Sequence, residues 1–457
     1  MPTVRGTMRH YERSASWSLD SLDDMSGSHF IMRNGTLYTA VVVLAAACAS
    51  VAVTSPSGAA SRVVTQRVSV RSDGSQAGRF SASASISASG RFVAFESLAS
   101  DLVDDDTNAT YDVFVHDRRT GLTRRVSVHS DGSQLLTESG SPSISADGRF
   151  VAFTAGVKRI LVHDLETGKT QLVSVSSRGR SAGGWSLGPV ISGDGRYVAF
   201  FSLADNLVPN DTNDAFDVFV RDRVRGVTRR VSVSSNGTEA NGASSGPSIS
   251  ADGRFVAFHS EASNLVPGDT NGAFDVFVRN RSATVTRRVS VSSNEREGNH
   301  DSYQAVIAAG GRFVAFRTDA SDLIPDDTNQ NGDVLVRDRK LGTTTIVSIT
   351  SSGAQVRSQS YDPAISAGGR FVVFQSSARK FSSEDTNDVL DVFIHDRATG
   401  RTRRVSLTTD DLTANGRSFG ASISARGTYV AFTSEASNLV PADTNAEDDI
   451  FVRGALH

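Results

Sequence analysis

The sequence predicts an all-β protein, a closed propeller of seven blades with four strands in each blade. Three observations predict this fold. The chain repeats itself from residue 62 onward, each repeat unit contains four strand-like segments, and the two ends of the repeat region hold complementary pieces of one unit. The composition agrees, because 39 Gly and 24 Phe are typical of short strands joined by glycine turns.

An isoleucine that recurs in every unit gives the period of the repeat. It stands at Ile86, Ile144, Ile191, Ile249, Ile307, Ile365 and Ile423. The successive intervals are 58, 47, 58, 58, 58 and 58 residues. A fixed period of this length indicates a solenoid, a propeller or an array. The second unit is 11 residues short, and the deletion falls between its second and third strands.

The unit at residues 247–291 shows the four predicted strands. The second and third strands, RFVAF at 254–258 and DVFVR at 275–279, are apolar on both faces. Such strands are expected between neighbouring sheets. The fourth strand at 286–291 alternates polar and apolar residues, as an outer and partly hydrated strand should.

The two ends of the repeat region predict that the ring closes. The last unit stops after its third strand at 451–453, whereas 66–70 is a fourth strand with no blade before it. Pairing these two segments completes the seventh blade and removes the exposed strand edges.

The blade motif PSISADGRFVAF…DVFVRD…TRRVSV resembles the TolB-type propeller repeat, a relative of the WD-type propellers that lacks their Trp-Asp signature. The resemblance covers residues 62–453. It implies a seven-bladed propeller fold, and it implies a role either as a partner-binding module or as the accessory domain of a hydrolase.

Residues 1–60 are predicted to be an N-terminal extension with a signal peptide, separate from the propeller at 61–457. The uncharged stretch 37–53 is short for a membrane span and is typical of a secretory signal, with Met32 as the true start. Lipidation at Cys48 and an uncleaved membrane anchor are the alternatives. Each of these readings places the propeller outside the cytoplasm, secreted or associated with the cell envelope.

Bulk properties exclude several functions. The net charge of −3 argues against a nucleic-acid binder, and one cysteine excludes an intrachain disulfide or a cysteine-based zinc cluster. The sequence contains no GxSxG, P-loop or HExxH motif. We therefore predict a monomer that is not an enzyme.

The predicted strand order assigns the loops to two faces of the disc. Tight turns share one face, and the second-to-third loops and the linkers between blades share the other, the long-loop face, where binding residues are expected. Trp185 follows the shortened loop of the second unit and is a candidate anchor; the alternative is that it packs over a gap between blades. Off-pattern residues predicted to precede the inner strands and to point toward the central tunnel complete the predicted ligand site, with sequence drift in exposed loops as the alternative: His300, Asp301, Tyr303, Tyr361, Asp362 and Phe419.

Six units carry an Asp-Thr-Asn loop followed by a further aspartate. The oxygen-bearing residues are Asp106, Asn108, Asp112, Asp211, Asn213, Asp217, Asp269, Asn271, Asp275, Asp327, Asn329, Asp333, Asp385, Asn387, Asp391, Asp443, Asn445 and Asp449. Such donors are typical of calcium ligands. The alternative, which we favour, is that the side chains hold the turn through backbone hydrogen bonds without a metal.

Two sets of recurrent charged residues are interpreted as solvated. His116, His163 and His395 occupy a position that is arginine in other blades, which suggests a hydrated strand end. Arg-Arg pairs recur on the fourth strands, for example Arg229-Arg230, and are interpreted as exposed rim charges.

These features together predict an extracytoplasmic binding or scaffold propeller that recognises a protein or a cell-envelope polymer through its long-loop face. The alternative is a carbohydrate-active hydrolase or lyase whose carboxylates, Asp301, Asp362 and Glu138, meet at the tunnel mouth. A structural spacer with calcium-stiffened loops is a third possibility.

Overall fold

The computed structural model describes residues 63–381, 387 and 389–454. Within these residues, 28 strands form seven antiparallel sheets of four strands, each of which is one blade of a propeller. The prediction of an all-β seven-bladed propeller is confirmed. The predicted N-terminal extension and signal peptide at 1–60, with Cys48, lie outside the described residues.

The first strand, β1 (Val64–Arg67), is the outermost strand of the last blade, and the others follow blade by blade from the innermost strand outward. Blades 1 to 4 comprise β2 (Ser81–Ile86), β3 (Phe92–Ser97), β4 (Asp112–Asp117) and β5 (Leu122–Arg125); β6 (Ser139–Ile144), β7 (Phe150–Ala155), β8 (Arg159–Asp164) and β9 (Thr170–Leu172); β10 (Ser186–Ile191), β11 (Tyr197–Ser202), β12 (Asp217–Asp222) and β13 (Val227–Arg230); and β14 (Ser244–Ile249), β15 (Phe255–Ser260), β16 (Asp275–Asn280) and β17 (Val285–Arg288). Blades 5 to 7 comprise β18 (Ser302–Ile307), β19 (Phe313–Thr318), β20 (Asp333–Asp338) and β21 (Thr343–Ile346); β22 (Ser360–Ile365), β23 (Phe371–Ser376), β24 (Asp391–Asp396) and β25 (Arg401–Arg404); and β26 (Ser418–Ile423), β27 (Tyr429–Ser434), β28 (Asp449–Gly454) and β1. A single 3₁₀ turn at Arg379–Phe381 follows β23 in the described part of the chain.

No helix among these residues has the length and apolar character that crossing a bilayer requires.

The ring closes as predicted. Strand β1 pairs antiparallel with β28, so that Val64 lies opposite Gly454 and Arg67 lies opposite Phe451. Beyond the strand, the Val68 N–H donates to the Ile450 carbonyl at 2.8 Å, and both side chains are fully buried in one apolar cluster. The chain start therefore completes the blade that the chain end leaves unfinished.

Each gap between neighbouring blades contains its own apolar core, because the second and third strands are buried on both faces. In blade 1, Phe95 and Phe114 stack with their ring centroids 5.9 Å apart and pack toward blade 7. Ala94 and Val113, one residue along each strand, pack toward blade 2. The two-sided apolar pattern of these strands is thereby explained.

The two faces of the disc differ as expected. On one face, tight turns join the innermost strand to the second strand; in blade 1 this turn needs Gly90, whose φ of 75° and packing against the Tyr429 ring of blade 7 exclude a side chain. On the long-loop face, residues 98–111 connect β3 to β4. In blade 2 the equivalent connection between β7 and β8 is only 156–158, so the deletion lies where the sequence predicts it.

Every innermost strand contains a β-bulge close to the long-loop face. In blade 1 the register with the second strand shifts between Ala82 and Ser85. The third residue of each innermost strand has a positive φ, from 44° at Asp362 to 60° at Gly420. A bulge of this kind bends the strand and changes the direction of its side chains. The seven residues with this conformation are Ser83, Ser141, Gly188, Gly246, Gln304, Asp362 and Gly420.

Candidate functional site

The tunnel mouth, which we define as the long-loop ends of the innermost and second strands, is where the seven blades differ most. The residue before the innermost strand is Phe80, Glu138, Trp185, Ala243, Asp301, Gln359 and Arg417 in blades 1 to 7. The second residue of that strand is Ala82, Gly140, Leu187, Ser245, Tyr303, Tyr361 and Phe419, and it pairs across the bulge with Glu96, Thr154, Phe201, His259, Arg317, Gln375 and Thr433.

The backbone at the tunnel mouth nevertheless repeats. In blade 1 the Ser97 hydroxyl donates to the Phe80 carbonyl at 3.0 Å, and in blade 7 the Ser434 hydroxyl donates to the Arg417 carbonyl at the same distance. The equivalent bond in blade 3 joins Ser202 to the Trp185 carbonyl at 2.6 Å. One rigid scaffold therefore presents a different side chain from each blade.

Arg317 is the centre of an aromatic cluster between blades 5 and 6. Its guanidinium lies 4.9 Å from the Tyr303 ring centroid and 4.6 Å from the Tyr361 ring centroid. It also donates to Asp319 at 3.1 Å and to Gln359 at 3.2 Å. Burial is the main cause that raises the pKa of Tyr303, so its hydroxyl stays protonated and donates to Asp319 at 3.1 Å. These contacts hold a cation and two rings in fixed positions.

Asp362 lies beside this cluster and is fully engaged in hydrogen bonds. One carboxylate oxygen accepts from the Gln304 amide, and the other accepts from the Gln375 amide at 2.7 Å. Burial raises the pKa of Asp362, and nearby Arg317 partly opposes that rise. Because both oxygens already accept hydrogen bonds from neighbouring amides, Asp362 links blades 5 and 6 rather than standing free as a base.

Carboxylates dominate the part of the tunnel mouth formed by blades 7, 1 and 2. Glu96 accepts from the Ser83 hydroxyl at 2.9 Å and from the Ser141 N–H at 2.7 Å, and burial raises its pKa. Burial, followed by the charge of Glu96, raises the pKa of Glu138. Burial, followed by the charge of Glu435, raises the pKa of Asp448 to about 6. Four carboxylates, those of Glu96, Glu138, Glu435 and Asp448, therefore lie in this part of the long-loop face, where Arg417 pairs with Glu435.

Trp185 is 40 % exposed and lies beside the shortened loop of blade 2. The N–H of the following residue, Ser186, donates to the Val157 carbonyl at 3.0 Å. Val157 and Leu203 are 52 % and 40 % exposed, so an apolar surface surrounds the notch. Exposed apolar residues around an aromatic side chain are typical of contact surfaces.

His300 and Asp301 lie in the linker before β18, where His300 is exposed. One Asp301 carboxylate oxygen accepts from the Phe274 N–H at 2.9 Å, and its carbonyl accepts from the Asp319 N–H at 2.8 Å. The structure therefore brings Tyr303 and Tyr361 together around Arg317, with Asp362 beside them. Asp301 instead accepts hydrogen bonds from the loops next to it. Trp185 lies two blades away from this cluster.

The Asp-Thr-Asn loops precede the third strands of every blade except blade 2, on the long-loop face. The second aspartate of every loop accepts from a serine hydroxyl, as Asp333 does from Ser348 at 2.7 Å. In five loops the asparagine amide donates to a linker carbonyl, for example Asn213 to Ala240 at 2.9 Å. Asp385 lies outside the described residues. Side-chain hydrogen bonds thus hold these loops in shape.

Two groups of carboxylates in these loops could hold a metal ion: Asp211, Asp217 and Glu239 in blade 3, and Asp269, Asp275 and Glu297 in blade 4, with oxygens within 4.8 Å of one another. Each group surrounds an arginine. Arg230 lies 2.9 Å from Asp217 and 3.3 Å from Asp211, and it also contacts Glu239. Burial, followed by the charge of Asp217, raises the pKa of Asp211 to about 6. A metal ion is possible here, but a guanidinium already supplies the positive charge.

Two sequence interpretations are wrong. His116, His163 and His395 are not solvated: they are only 2 %, 6 % and 4 % exposed. The His116 ring shares a hydrogen bond with the Thr123 hydroxyl at 2.9 Å, and in other blades an arginine makes the same contact. The second arginine of each Arg-Arg pair is not an exposed rim charge either, because it lies among the loop aspartates, as Arg230 does.

Sequence reasoning missed Arg317, Glu96, Gln304 and Gln375. The signal was visible, because the fifth residue of the second strand differs in every blade except for threonine in blades 2 and 7. In the structure His259 lies at the tunnel mouth, 6.5 Å from the Tyr303 ring, and burial lowers its pKa to about 4.

Comparison with known proteins supports the fold. No protein-family model and no curated protein sequence matches the chain. An oligogalacturonate lyase from Vibrio parahaemolyticus is 11 % identical, with a TM-score of 0.52 over 86 % of this chain and 97 % of that one. An oligogalacturonate lyase in complex with manganese is also 11 % identical, with a TM-score of 0.51 over 86 % of this chain and 90 % of that one.

A putative TolB from Agrobacterium tumefaciens is 13 % identical, with a TM-score of 0.42 over 75 % of this chain and 97 % of that one. Identities this low bear on the fold and not on activity. The likeness to the two lyases agrees with the architecture described above: the chain is a seven-bladed β-propeller closed by its first strand.

Proposed function

We propose that this propeller is an exported binding protein that recognises a protein or a cell-envelope polymer through its tunnel mouth. The observation that supports this most is the divergence of the blades at the tunnel mouth, set against a scaffold that repeats elsewhere. A repeated scaffold with a single-copy set of side chains at one opening is what a specific binding surface requires. The signal-like sequence at 37–53 supports export.

The cluster around Arg317, rather than the carboxylate-rich part of the tunnel mouth, favours a ligand with an anionic group and an apolar portion. Arg317 is stacked between Tyr303 and Tyr361, and its side chain is 12 % exposed, so it is fixed in place and still accessible. Arginine and aromatic residues dominate binding energies at protein interfaces. Trp185 at the notch supplies a second, apolar contact for a large ligand.

The test is a capture experiment with the propeller at 61–457 as bait in the culture of the organism that makes it. The captured partner is then titrated against variants by calorimetry. Arg317→Gln and Trp185→Ala should each weaken binding at least tenfold, the effect expected of interface hot spots. Arg370→Gln is the matched control, because Arg370 also stacks on an aromatic ring but lies on the tight-turn face. Unchanged affinity in both tunnel-mouth variants would refute the proposal.

A lyase that acts on an acidic oligosaccharide is the second candidate. Two solved structures with this fold are oligogalacturonate lyases, and Glu96 is a buried carboxylate of raised pKa at the tunnel mouth. Incubation with oligogalacturonate, with and without manganese, would reveal the double bond of the product by its ultraviolet absorbance. We expect no turnover. Turnover that is lost in Glu96→Gln would establish the enzyme instead.

We propose further that the Asp-Thr-Asn loops keep their shape without calcium. Arg230 and Arg288 lie among three carboxylates each, which is where a divalent cation would bind. Calcium is the ion that such an all-oxygen set of donors would favour. Its addition should therefore leave the melting temperature of the wild-type protein unchanged.

A further inference from the structure

On the tight-turn face, opposite the tunnel mouth, arginine side chains of the propeller itself occupy gaps between blades in a repeated arrangement. An aromatic residue opens the second strand of each blade and lies in the gap to the next blade. In the gap between blades 2 and 3, Arg223 lies 4.7 Å from the Phe150 ring centroid and donates to the Gly195 carbonyl at 2.5 Å. The arginines that make the equivalent pair of contacts in five gaps are Arg118, Arg223, Arg281, Arg339 and Arg397.

The gap between blades 1 and 2 departs from this arrangement. Of the six residues that the structure describes at the arginine position, five are arginine and the sixth is Leu165. The backbone is unchanged, because the Leu165 N–H donates to the Arg149 carbonyl at 2.9 Å just as the Arg223 N–H donates to the Arg196 carbonyl. Leu165 and Phe92 pack against the same apolar cluster, and the leucine carries no donor for the Gly148 carbonyl.

A cavity of about 510 Å³ occupies this gap. The equivalent gap between blades 4 and 5, where Arg339 is present, has a cavity of about 230 Å³. Both cavities are lined by the aromatic ring, Phe92 in one and Phe255 in the other, and by the glycine of the facing turn. The larger volume agrees with the loss of an arginine side chain.

The charged residues that line the gap between blades 1 and 2 also differ from those that line the gap between blades 4 and 5. Leu165, Glu166 and Asp147 line the gap between blades 1 and 2 and carry a charge of −2. Their counterparts between blades 4 and 5 are Arg339, Lys340 and Gly310, which carry +2. Three other arginines line the cavity: Arg91 pairs with Asp117, Arg149 pairs with Asp164 and Glu166, and Arg124 belongs to the fourth strand of blade 1. This gap therefore lacks the arginine and gains one carboxylate, Glu166, whereas Asp147 is ordinary because Asp194 and Asp252 hold the same position in gaps that contain an arginine.

We propose that this cavity binds an arginine side chain presented by a partner protein, whose guanidinium takes the place of the missing internal arginine. The guest stacks on Phe92, donates to the Gly148 carbonyl and lies near Glu166. A guanidinium suits this site better than an ammonium group, because it stacks on rings and presents several donors in one plane. The inference is independent of the function proposed for the tunnel mouth.

The probe is the peptide acetyl-Gly-Arg-Gly-amide, titrated by calorimetry, with the citrulline peptide as an uncharged control of the same shape. We expect a dissociation constant on the order of 1 mM for one side chain, and at least tenfold weaker binding of the citrulline peptide. Leu165→Arg should abolish binding without lowering the melting temperature, since five other gaps hold an arginine there. Glu166→Lys, at an exposed position, should weaken binding at least fivefold.

The converse experiment introduces the same arginine-binding site into the gap between blades 4 and 5. Arg339→Leu with Lys340→Glu and Gly310→Asp should create a second site between blades 4 and 5 and raise the stoichiometry from one peptide to two. No binding to the wild-type protein at roughly 20 mM peptide, a concentration that would nearly saturate such a site, would overturn the proposal. Equal binding of the citrulline peptide, or binding that survives Leu165→Arg, would overturn it as well.

Discussion

Replacing Arg67 with glutamine tests whether the first strand closes the ring by joining the last blade. Arg67 belongs to β1, whereas the carboxylates it contacts, Asp443 and Asp449, lie more than 370 residues away in the last blade. The Arg67 guanidinium is 3.3 Å from each carboxylate, and the three side chains are only 10 %, 4 % and 0 % exposed. Arg67→Gln therefore leaves two carboxylates in a buried site without their cation.

The expected cost follows from this burial. Removing one partner of a buried ion pair costs about 3–5 kcal/mol. Unfolding entropy of about 2.1 cal/mol/K per residue over roughly 390 residues amounts to about 0.8 kcal/mol/K, so the melting temperature should fall by about 4–6 °C. If residues 66–70 were free in solution, Arg67 would be an ordinary surface residue, and its loss would cost under about 0.5 kcal/mol.

The matched control is Arg288→Gln, which removes the equivalent guanidinium within blade 4, where all partners belong to one continuous stretch of chain. Differential scanning calorimetry should show a similar drop for both variants. Burial raises the pKa of Asp449, and a neutral carboxyl tolerates the loss of Arg67, so the deficit should be smaller at pH 5 than at pH 8. A drop under about 1 °C for Arg67→Gln beside a full drop for Arg288→Gln would refute ring closure.

Three further predictions follow from the core, a buried histidine and the loops. Phe95→Ala should cost about 3–5 kcal/mol by chemical denaturation, because the ring is fully buried in the gap between blades; a cost under about 1 kcal/mol would contradict that packing. Burial lowers the pKa of His116 to about 4, so the unfolded chain binds more protons than the folded one between pH 4 and 6.5, and stability attributable to this residue rises with pH across that window. His116→Gln should remove that slope, and an unchanged slope would show that His116 is exposed. Arg230→Gln should lower the melting temperature by about 4–6 °C and make it calcium-dependent, whereas a calcium response in the wild-type protein would show that the loops bind metal beside the arginine.

Most of the fold was predictable because its determinants are local and repeated seven times. The two-sided apolar pattern of strands such as 254–258 predicts burial between sheets, and a strand left over at one end with a gap at the other predicts closure. Neither inference needs knowledge of any particular side-chain contact.

The tunnel mouth was only partly predictable, because the bulge that shapes it has no consistent sequence signal. Glycine occupies the bulged position in three blades, but Ser83, Gln304 and Asp362 adopt the same left-handed conformation. Without the bulge, the pairing of Tyr303 with Arg317 cannot be deduced, since two residues of the first strand, 304 and 305, oppose only residue 316 of the second. Tyr303 and Tyr361 differ from the residues at the same position in other blades, so the sequence predicts a role for them. Arg317 directly follows the apolar residues of the second strand, so the sequence predicts only a strand end there.

The misreading of the histidines has a different cause. A position that accepts histidine or arginine looks hydrated, yet both residues reach the same buried groups: the Thr228 hydroxyl accepts from Arg221 at 3.1 Å, as Thr123 pairs with His116. Interchange between two polar residues can therefore indicate a shared hydrogen-bond partner rather than exposure to water.

The most direct test of the proposed function is site-specific photo-crosslinking at two exposed leucines. Leu203 is 40 % exposed and its N–H donates to the Trp185 carbonyl at 2.9 Å, whereas Leu341 is 66 % exposed in a tight turn on the opposite face. A photoreactive amino acid at Leu203 should crosslink to the captured partner, and the same group at Leu341 should not. Crosslinking at Leu341 with none at Leu203 would contradict recognition through the tunnel mouth.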